Sequence, residues 1–184
     1  MKRIGSKPVI AAGLALLAIG LGLMSRLTVD SEYLQFLGSL LVFGVGVAWT
    51  ATPATTAITG SLPRAKQGVA SAVNDTTREL GSALGVAIMG TIYANSYRDA
   101  ITPAVAQLPE KAREAILGSP AAGIHMAQQG GMQGSGIIEQ IERAFMTGAT
   151  DAMGAVAVML AVVAVIAAIV APRVLPVESA IDHS

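Results

Sequence analysis

Long stretches without a charged side chain dominate the hydrophobic pattern of this chain. Four such runs occupy residues 8–25, 33–63, 80–97 and 152–172. A helix needs about 20 mostly apolar residues to cross the ~30 Å hydrocarbon core of a membrane. The runs meet or approach that length. The pattern therefore predicts an all-α integral membrane protein with about four transmembrane helices.

The polar breaks between these runs divide the chain into four regions. Residues 1–93 are predicted to form three transmembrane helices with short loops, at about 8–24, 37–58 and 69–93. Residues 94–150 are predicted to be an amphipathic loop outside the membrane. Residues 151–171 then form the last transmembrane helix, and residues 172–184 form a polar cytoplasmic tail.

The long loop itself carries helix signals. Residues 109–117 mix apolar and charged positions at helical spacing, and Gly118 follows them. Ser119 and Pro120 are suited to begin a second short helix, which runs through Gln129. Glycines at 130, 131 and 134 mark a break. The pattern from residue 136 onward indicates a helix that continues into the last span.

Basic residues in the short loops predict the orientation in the membrane. Three basic residues precede the first span, two lie between the second and third, and one follows the fourth. With four spans these fall on one side, so both termini are predicted to be cytoplasmic, in a multi-pass protein of the cell (inner) membrane. The opposite short loop has a single basic residue beside two acidic ones. The residues are Lys2, Arg3, Lys7, Arg64, Lys66 and Arg173 on one side, and Arg26, Asp30 and Glu32 on the other.

Composition excludes several other classes of function. The chain is 53% hydrophobic and 13% charged, with no net charge and no cysteine. A nucleic-acid partner would need a basic patch. The two histidines lie far apart, and the sequence has none of the motifs of a nucleophile, a phosphate loop or a metal site. We therefore expect no enzymatic activity, no cofactor and no metal.

The third predicted span is the most polar of the four. Asn74, Asp75, Arg78 and Glu79 lie within two helical turns. Ionisable groups inside a membrane are costly and usually face protein or a wet cavity, which favours a gate or a proton- or substrate-linked network. The alternative is an interfacial position, where Arg78 extends to the cytoplasmic surface and Asp75 pairs with it.

Two further groups of residues are candidates for functional roles, one in helix packing and one in lining a cavity. Gly81, Gly85 and Gly90 form a small-residue face of the kind that lets helices pack closely in lipid. Thr52, Pro53 and Thr56 are candidates to line a cavity in the second span. These threonines are equally suited to donate hydrogen bonds back to carbonyls of their own helix.

Residues 62–87 resemble the penultimate helix of the fourteen-helix drug:proton antiporters, the EmrB/QacA-type branch of the major facilitator superfamily. Asn74, Thr77, Arg78 and Gly81 match the pattern of that branch, and Glu79 stands where glutamine is usual. The long loop before the last span is also similar to one in this branch. Residues 3–8 resemble the end of a basic loop motif that recurs in the second half of such transporters.

The resemblance implies that the four spans correspond to the last four helices of a secondary transporter that exports drugs or other small molecules in exchange for protons. Such a protein works by alternating access around a site near the membrane midplane. The implied partners are the lipid bilayer, a small-molecule substrate, protons, and either the missing N-terminal helices or another copy. The chain is expected to be inactive alone.

Two other hypotheses remain open from the sequence. The chain is alternatively a self-contained four-helix transporter that works as an oligomer. It is otherwise a membrane subunit without transport activity that packs on a partner through its glycine faces.

Overall fold

A computed structural model describes residues 6–60, 63–129 and 136–174, and within these ranges the chain is all-α. A short 3-10 turn, Arg64–Lys66, precedes the third of the six helices within these ranges. The helices are α1 (Ser6–Met24), α2 (Tyr33–Gly60), α3 (Gln67–Val105), α4 (Glu110–Gly118), α5 (Pro120–Gln129) and α6 (Ile137–Val174).

Two of these helices are long and apolar enough to cross a membrane. They are α2, over Tyr33–Ile58, and α6, over Ile137–Ile169. The apolar part of α1, Pro8–Met24, is shorter. The longest helix, α3, is less apolar than α2 and α6. It contains glycine, serine and asparagine among its apolar residues, and its first half carries charged side chains.

Helix α1 lies between α2 and α6, and close backbone approach makes this arrangement possible. A Cβ atom added at Gly20 would lie 2.7 Å from the Cα atom of Phe43 in α2. A Cβ at Gly46 in α2 would lie 2.6 Å from the backbone nitrogen of Leu17. Glycine at these positions therefore lets the backbones of α1 and α2 pack directly on each other, as small residues do in membrane helix pairs.

One helix boundary differs from the sequence prediction, and another agrees with it. Helix α3 does not end near residue 93 but continues, through Pro103, to Val105. Helix α6 begins at Ile137, so the predicted continuation into the last span is confirmed. Both long helices thus extend beyond the predicted spans, where they meet α4 and α5. The two short helices form as predicted, α4 ending at Gly118 and α5 beginning at Pro120.

The best-packed core lies in this extension. We use the name cap for α4 and α5 together with residues 93–105 of α3 and 137–148 of α6. Five of its side chains have 0% exposure, and Tyr97 has 2%. Apolar burial on this scale stabilises a fold by roughly 1.5–3 kcal/mol per side chain. The buried cluster comprises Tyr97, Ile101, Val105, Ile116, Ala127, Ile137, Ile141 and Ala144.

Tyr97 joins the parts of the cap. Its hydroxyl donates a hydrogen bond of 2.7 Å to the carbonyl oxygen of Ile116, near the end of α4, where helix carbonyls have no partner in their own helix. Its ring stacks on Tyr93, which meets Phe145 of α6 edge-on. Burial, with a smaller contribution from Tyr93, raises the pKa of Tyr97 to about 12.

Candidate functional site

The first half of α3 carries the predicted polar residues. The 3-10 turn Arg64–Lys66 leads directly into the helix at Gln67, and no side chain caps its first turn. Ala70 is 2% exposed and Asn74 is 8% exposed, one helical turn later. From residue 71 to residue 91, Asn74 is the one buried position of the helix. We call residues 67–91 the polar half of α3. Within the described chain, this half packs on other residues through one narrow face only.

Three charged side chains lie together on the open side of the helix. Asp75, Arg78 and Glu79 are spaced at i, i+3 and i+4, so one face carries them. With Ser82, they border an open depression on the helix surface. Two carboxylates and a guanidinium at one groove supply acceptors, donors and sites that can bind a proton.

The predicted pairing of Arg78 with Asp75 is not formed in the described part of the chain. The carboxylate of Asp75 instead accepts a long, 3.5 Å hydrogen bond from the amide of Asn74. An ion pair does form in the cap, at 2.6 Å between Glu139 and Arg143 of α6. The charges of α3 thus remain available to groups outside the described residues.

The glycine face of α3 lies open. Cβ atoms added at Gly81, Gly85 or Gly90 would meet nothing within 4 Å. Any close packing at these glycines therefore involves helices other than those described, and their packing role stays a prediction. Several other glycines do pack closely, among them Gly20 in α1 and Gly46 in α2, and the sequence predicts no packing role for these two. Glycine spacing does not identify them, because neither Gly20 nor Gly46 has another glycine three or four residues away, whereas Gly81 and Gly85 are four residues apart.

The threonines near Pro53 are partly accounted for by their own helix. Helix α2 is continuous through Pro53. The hydroxyl of Thr56 donates a 3.0 Å hydrogen bond to the carbonyl oxygen of Thr52. This is the back-bonding alternative, and it leaves the cavity-lining role of Thr52, Pro53 and Thr56 as a prediction. Among the described residues there is no group of three or more side chains that could hold a metal ion.

Comparison with known proteins identifies the family to which this chain is similar. The profile of the Major Facilitator Superfamily matches residues 1–101, which include the whole polar half of α3. No solved structure matches the chain.

Among the similar curated proteins, two are named as an efflux pump and an export protein, and a third as a resistance protein. The multidrug efflux pump LfrA of Mycolicibacterium smegmatis is 32% identical over 123 residues, which cover 65% of this chain and 24% of LfrA. The cephamycin export protein CmcT of Amycolatopsis lactamdurans is 34% identical over 93 residues, covering 50% of this chain and 19% of CmcT. The methyl viologen resistance protein SmvA of Salmonella typhimurium is 27% identical over 162 residues, covering 87% of this chain and 32% of SmvA.

These matches agree with the predicted resemblance. They also show that the aligned part of this chain spans about a third or less of each of these three relatives. The family match covers more than half of the chain and includes α1, α2 and most of α3. On this evidence, the chain belongs to the Major Facilitator Superfamily.

Proposed function

We propose that this chain supplies the last helices of a proton-driven exporter of drugs or other small molecules, and that it is inactive without the helices that precede them in its relatives. One observation carries the proposal. The polar half of α3 is exposed at nearly every position from 71 to 91, although the other half of the same helix buries Tyr97, Ile101 and Val105. A charged, glycine-rich helix face is stable in a membrane when it meets protein or a wet cavity.

The open face of α3 has the features that a contact between two helical bundles needs. The open glycines, among them Gly81 and Gly85, permit close backbone approach. The exposed charges of Asp75, Arg78 and Glu79 lie beside them and offer partners for polar groups of another helix. We infer that this face meets the N-terminal bundle, and that the carboxylates of Asp75 and Glu79 take up and release protons during transport.

In this proposal α1, α2, α3 and α6 all cross the membrane, with both termini cytoplasmic and the cap on the opposite side. The relatives support export as the activity, since LfrA is a multidrug efflux pump and CmcT a cephamycin exporter. Transport of this kind requires no covalent step, so we propose a protein that is not an enzyme and has no resident cofactor.

The test is an efflux assay with a fluorescent drug in cells that lack their own exporters. One strain expresses this chain alone, and a second expresses a chimera in which the chain replaces the corresponding C-terminal part of LfrA. We expect export by the chimera, no export by the chain alone, and loss of export when a protonophore dissipates the proton gradient. Export by the chain alone would contradict the proposal and favour an oligomer of the four-helix unit.

The role of α3 is tested in the same chimera. Arg78→Ala removes a charge from the open face, whereas Arg98→Ala removes one from the cap end of the same helix. We expect Arg78→Ala to lower the export rate at least tenfold and Arg98→Ala to leave it nearly unchanged. The two variants are compared at equal amounts of protein in the membrane. If both lower the export rate equally, the open face of α3 has no special role in transport.

A further inference from the structure

A groove at the junction of α1 and α2 is separate from the polar face of α3. It lies where α1 ends and α2 begins, and its volume is about 550 Å³. That volume is within the usual range of ligand sites. The groove is lined by Leu23, Arg26, Leu27, Leu34, Gln35, Gly38, Ser39 and Val42.

The walls of this groove are apolar. Leu23 is 44% exposed and Leu34 is 72% exposed, although both are aliphatic. The hydroxyl of Ser39 donates a 2.8 Å hydrogen bond to the carbonyl oxygen of Gln35, so this polar group is satisfied within α2. A Cβ atom added at Gly38 would meet nothing within 4 Å, so the absence of a side chain there leaves the groove open. A hydrocarbon chain suits such a surface.

A single positive charge lies at the end of the groove. Arg26 is held in the turn after α1, where its backbone nitrogen donates a 3.1 Å hydrogen bond to the carbonyl oxygen of Leu23. Its guanidinium forms no ion pair with any residue of the described chain, although Asp30 and Glu32 are near in sequence. A guanidinium binds phosphate oxygens strongly and with two parallel hydrogen bonds.

The length of the groove agrees with the thickness of the hydrocarbon region in one membrane leaflet. Leu34 and Val42 are eight residues apart on α2, which corresponds to about 12 Å along the helix axis. Half of the hydrocarbon core is about 15 Å thick. The groove thus runs from the turn, where a headgroup lies, to a depth reached by most of an acyl chain.

We propose that the groove between α1 and α2 binds an anionic phospholipid, with its phosphate at Arg26 and one acyl chain along Leu23, Leu34 and Val42. The structure supplies the charge complementarity and the apolar path for this one occupant. The inference does not depend on the transport activity proposed above.

The test uses the full chain purified in detergent and exposed to phosphatidylglycerol or phosphatidylcholine, with bound lipid counted by native mass spectrometry. We expect the wild type to retain phosphatidylglycerol about fivefold better than phosphatidylcholine, the ratio expected for one exposed charge contact. Arg26→Gln should abolish this preference. Gly38→Leu should lower retention of both lipids by filling the groove.

Gly44→Leu is the matched control, since Gly44 is another open glycine of α2 that does not line the groove. It should retain lipid as the wild type does, and far-ultraviolet circular dichroism verifies that each variant is helical. If Gly38→Leu does not fold, Arg26→Gln, a change at an exposed side chain, still decides the question. Equal retention by Gly38→Leu and Gly44→Leu, an unchanged preference in Arg26→Gln, or no lipid on the wild type would each overturn the proposal.

Discussion

The two halves of helix α3 have opposite surroundings, although one continuous helix contains both. In the cap half, Tyr97, Ile101 and Val105 are at most 2% exposed. In the polar half, Leu80 and Leu84 are at least 60% exposed, and the glycines beside them face open space. The cap residues find their partners within this chain, in α4, α5 and α6. The difference shows that α3 is packed at one end and presents an open surface at the other.

The largest expected effect comes from truncating side chains at the two ends of α3. Ile101→Ala should lower the free energy of unfolding by about 2–5 kcal/mol, because Ile101 is fully buried and its loss leaves a cavity. Leu84→Ala should change it by less than about 0.5 kcal/mol, because Leu84 is 64% exposed. Chemical unfolding of the full chain in detergent micelles measures both. Similar losses at the two positions would mean that the polar half is packed in solution.

Glycine substitutions give the next largest contrast. Gly20→Leu should destabilise the chain by about 3 kcal/mol, since even a Cβ atom there would overlap the backbone of Phe43. Gly85→Leu should be nearly neutral for the stability of this chain, because a Cβ there meets nothing within 4 Å. Thermal unfolding in detergent compares them. In the LfrA chimera, however, Gly85→Leu should reduce export, and unimpaired export would contradict close packing of α3 on the N-terminal bundle.

Removing the hydroxyl group of Tyr97 tests how much its hydrogen bond to α4 stabilises the cap. Tyr97→Phe deletes the donor to the carbonyl oxygen of Ile116 and should lower the free energy of unfolding by about 1–2 kcal/mol, because that buried carbonyl loses its side-chain partner. Tyr33→Phe is the control, since Tyr33 is 75% exposed. Hydrogen exchange of α4 amides should quicken in Tyr97→Phe alone. Unchanged exchange would show that the bond does not hold α4.

The smallest effect is a dependence on alkaline pH. The pKa of Tyr97 is raised to about 12 by burial, above the ordinary value of about 10. Below pH 10 both the folded and the unfolded chain hold a neutral Tyr97, so its contribution to stability is complete there. Between about pH 10 and 12 the unfolded form ionises first, and stability should fall. An ultraviolet titration of tyrosinate should show a group that ionises near pH 12 in the wild type and is missing in Tyr97→Phe.

Much of this architecture follows from local patterns that the sequence displays. Uncharged runs predict α1, α2 and α6, because a helix in lipid must satisfy its own backbone groups and present apolar side chains. The boundary at Gly118, Ser119 and Pro120 predicts the break between α4 and α5, because glycine ends helices and proline begins them. The family resemblance of residues 62–87 is also a property of the sequence, and the superfamily match confirms it.

The sequence predicts which candidate residues share a helix face, but it does not predict how their side chains pair. The spacing of Asp75, Arg78 and Glu79 places them on one helix face whatever surrounds the helix. Whether Arg78 pairs with Asp75 depends on side-chain conformation and on neighbouring groups. In the structure this pair is not formed within the described chain, and Asn74 donates to Asp75 instead. The proton and substrate roles of these residues remain predictions.

Sequence by itself thus determined the helical class, the short helices of the long loop and the superfamily, since each depends on residues near one another in the chain. Only the tertiary structure decided which glycines pack and which stay open, and that α3 continues to Val105 into a cap. It also brought Tyr97 to Ile116. The physical reason is that these features depend on contacts between distant segments, and helical spacing is the same whether or not another helix lies against the face.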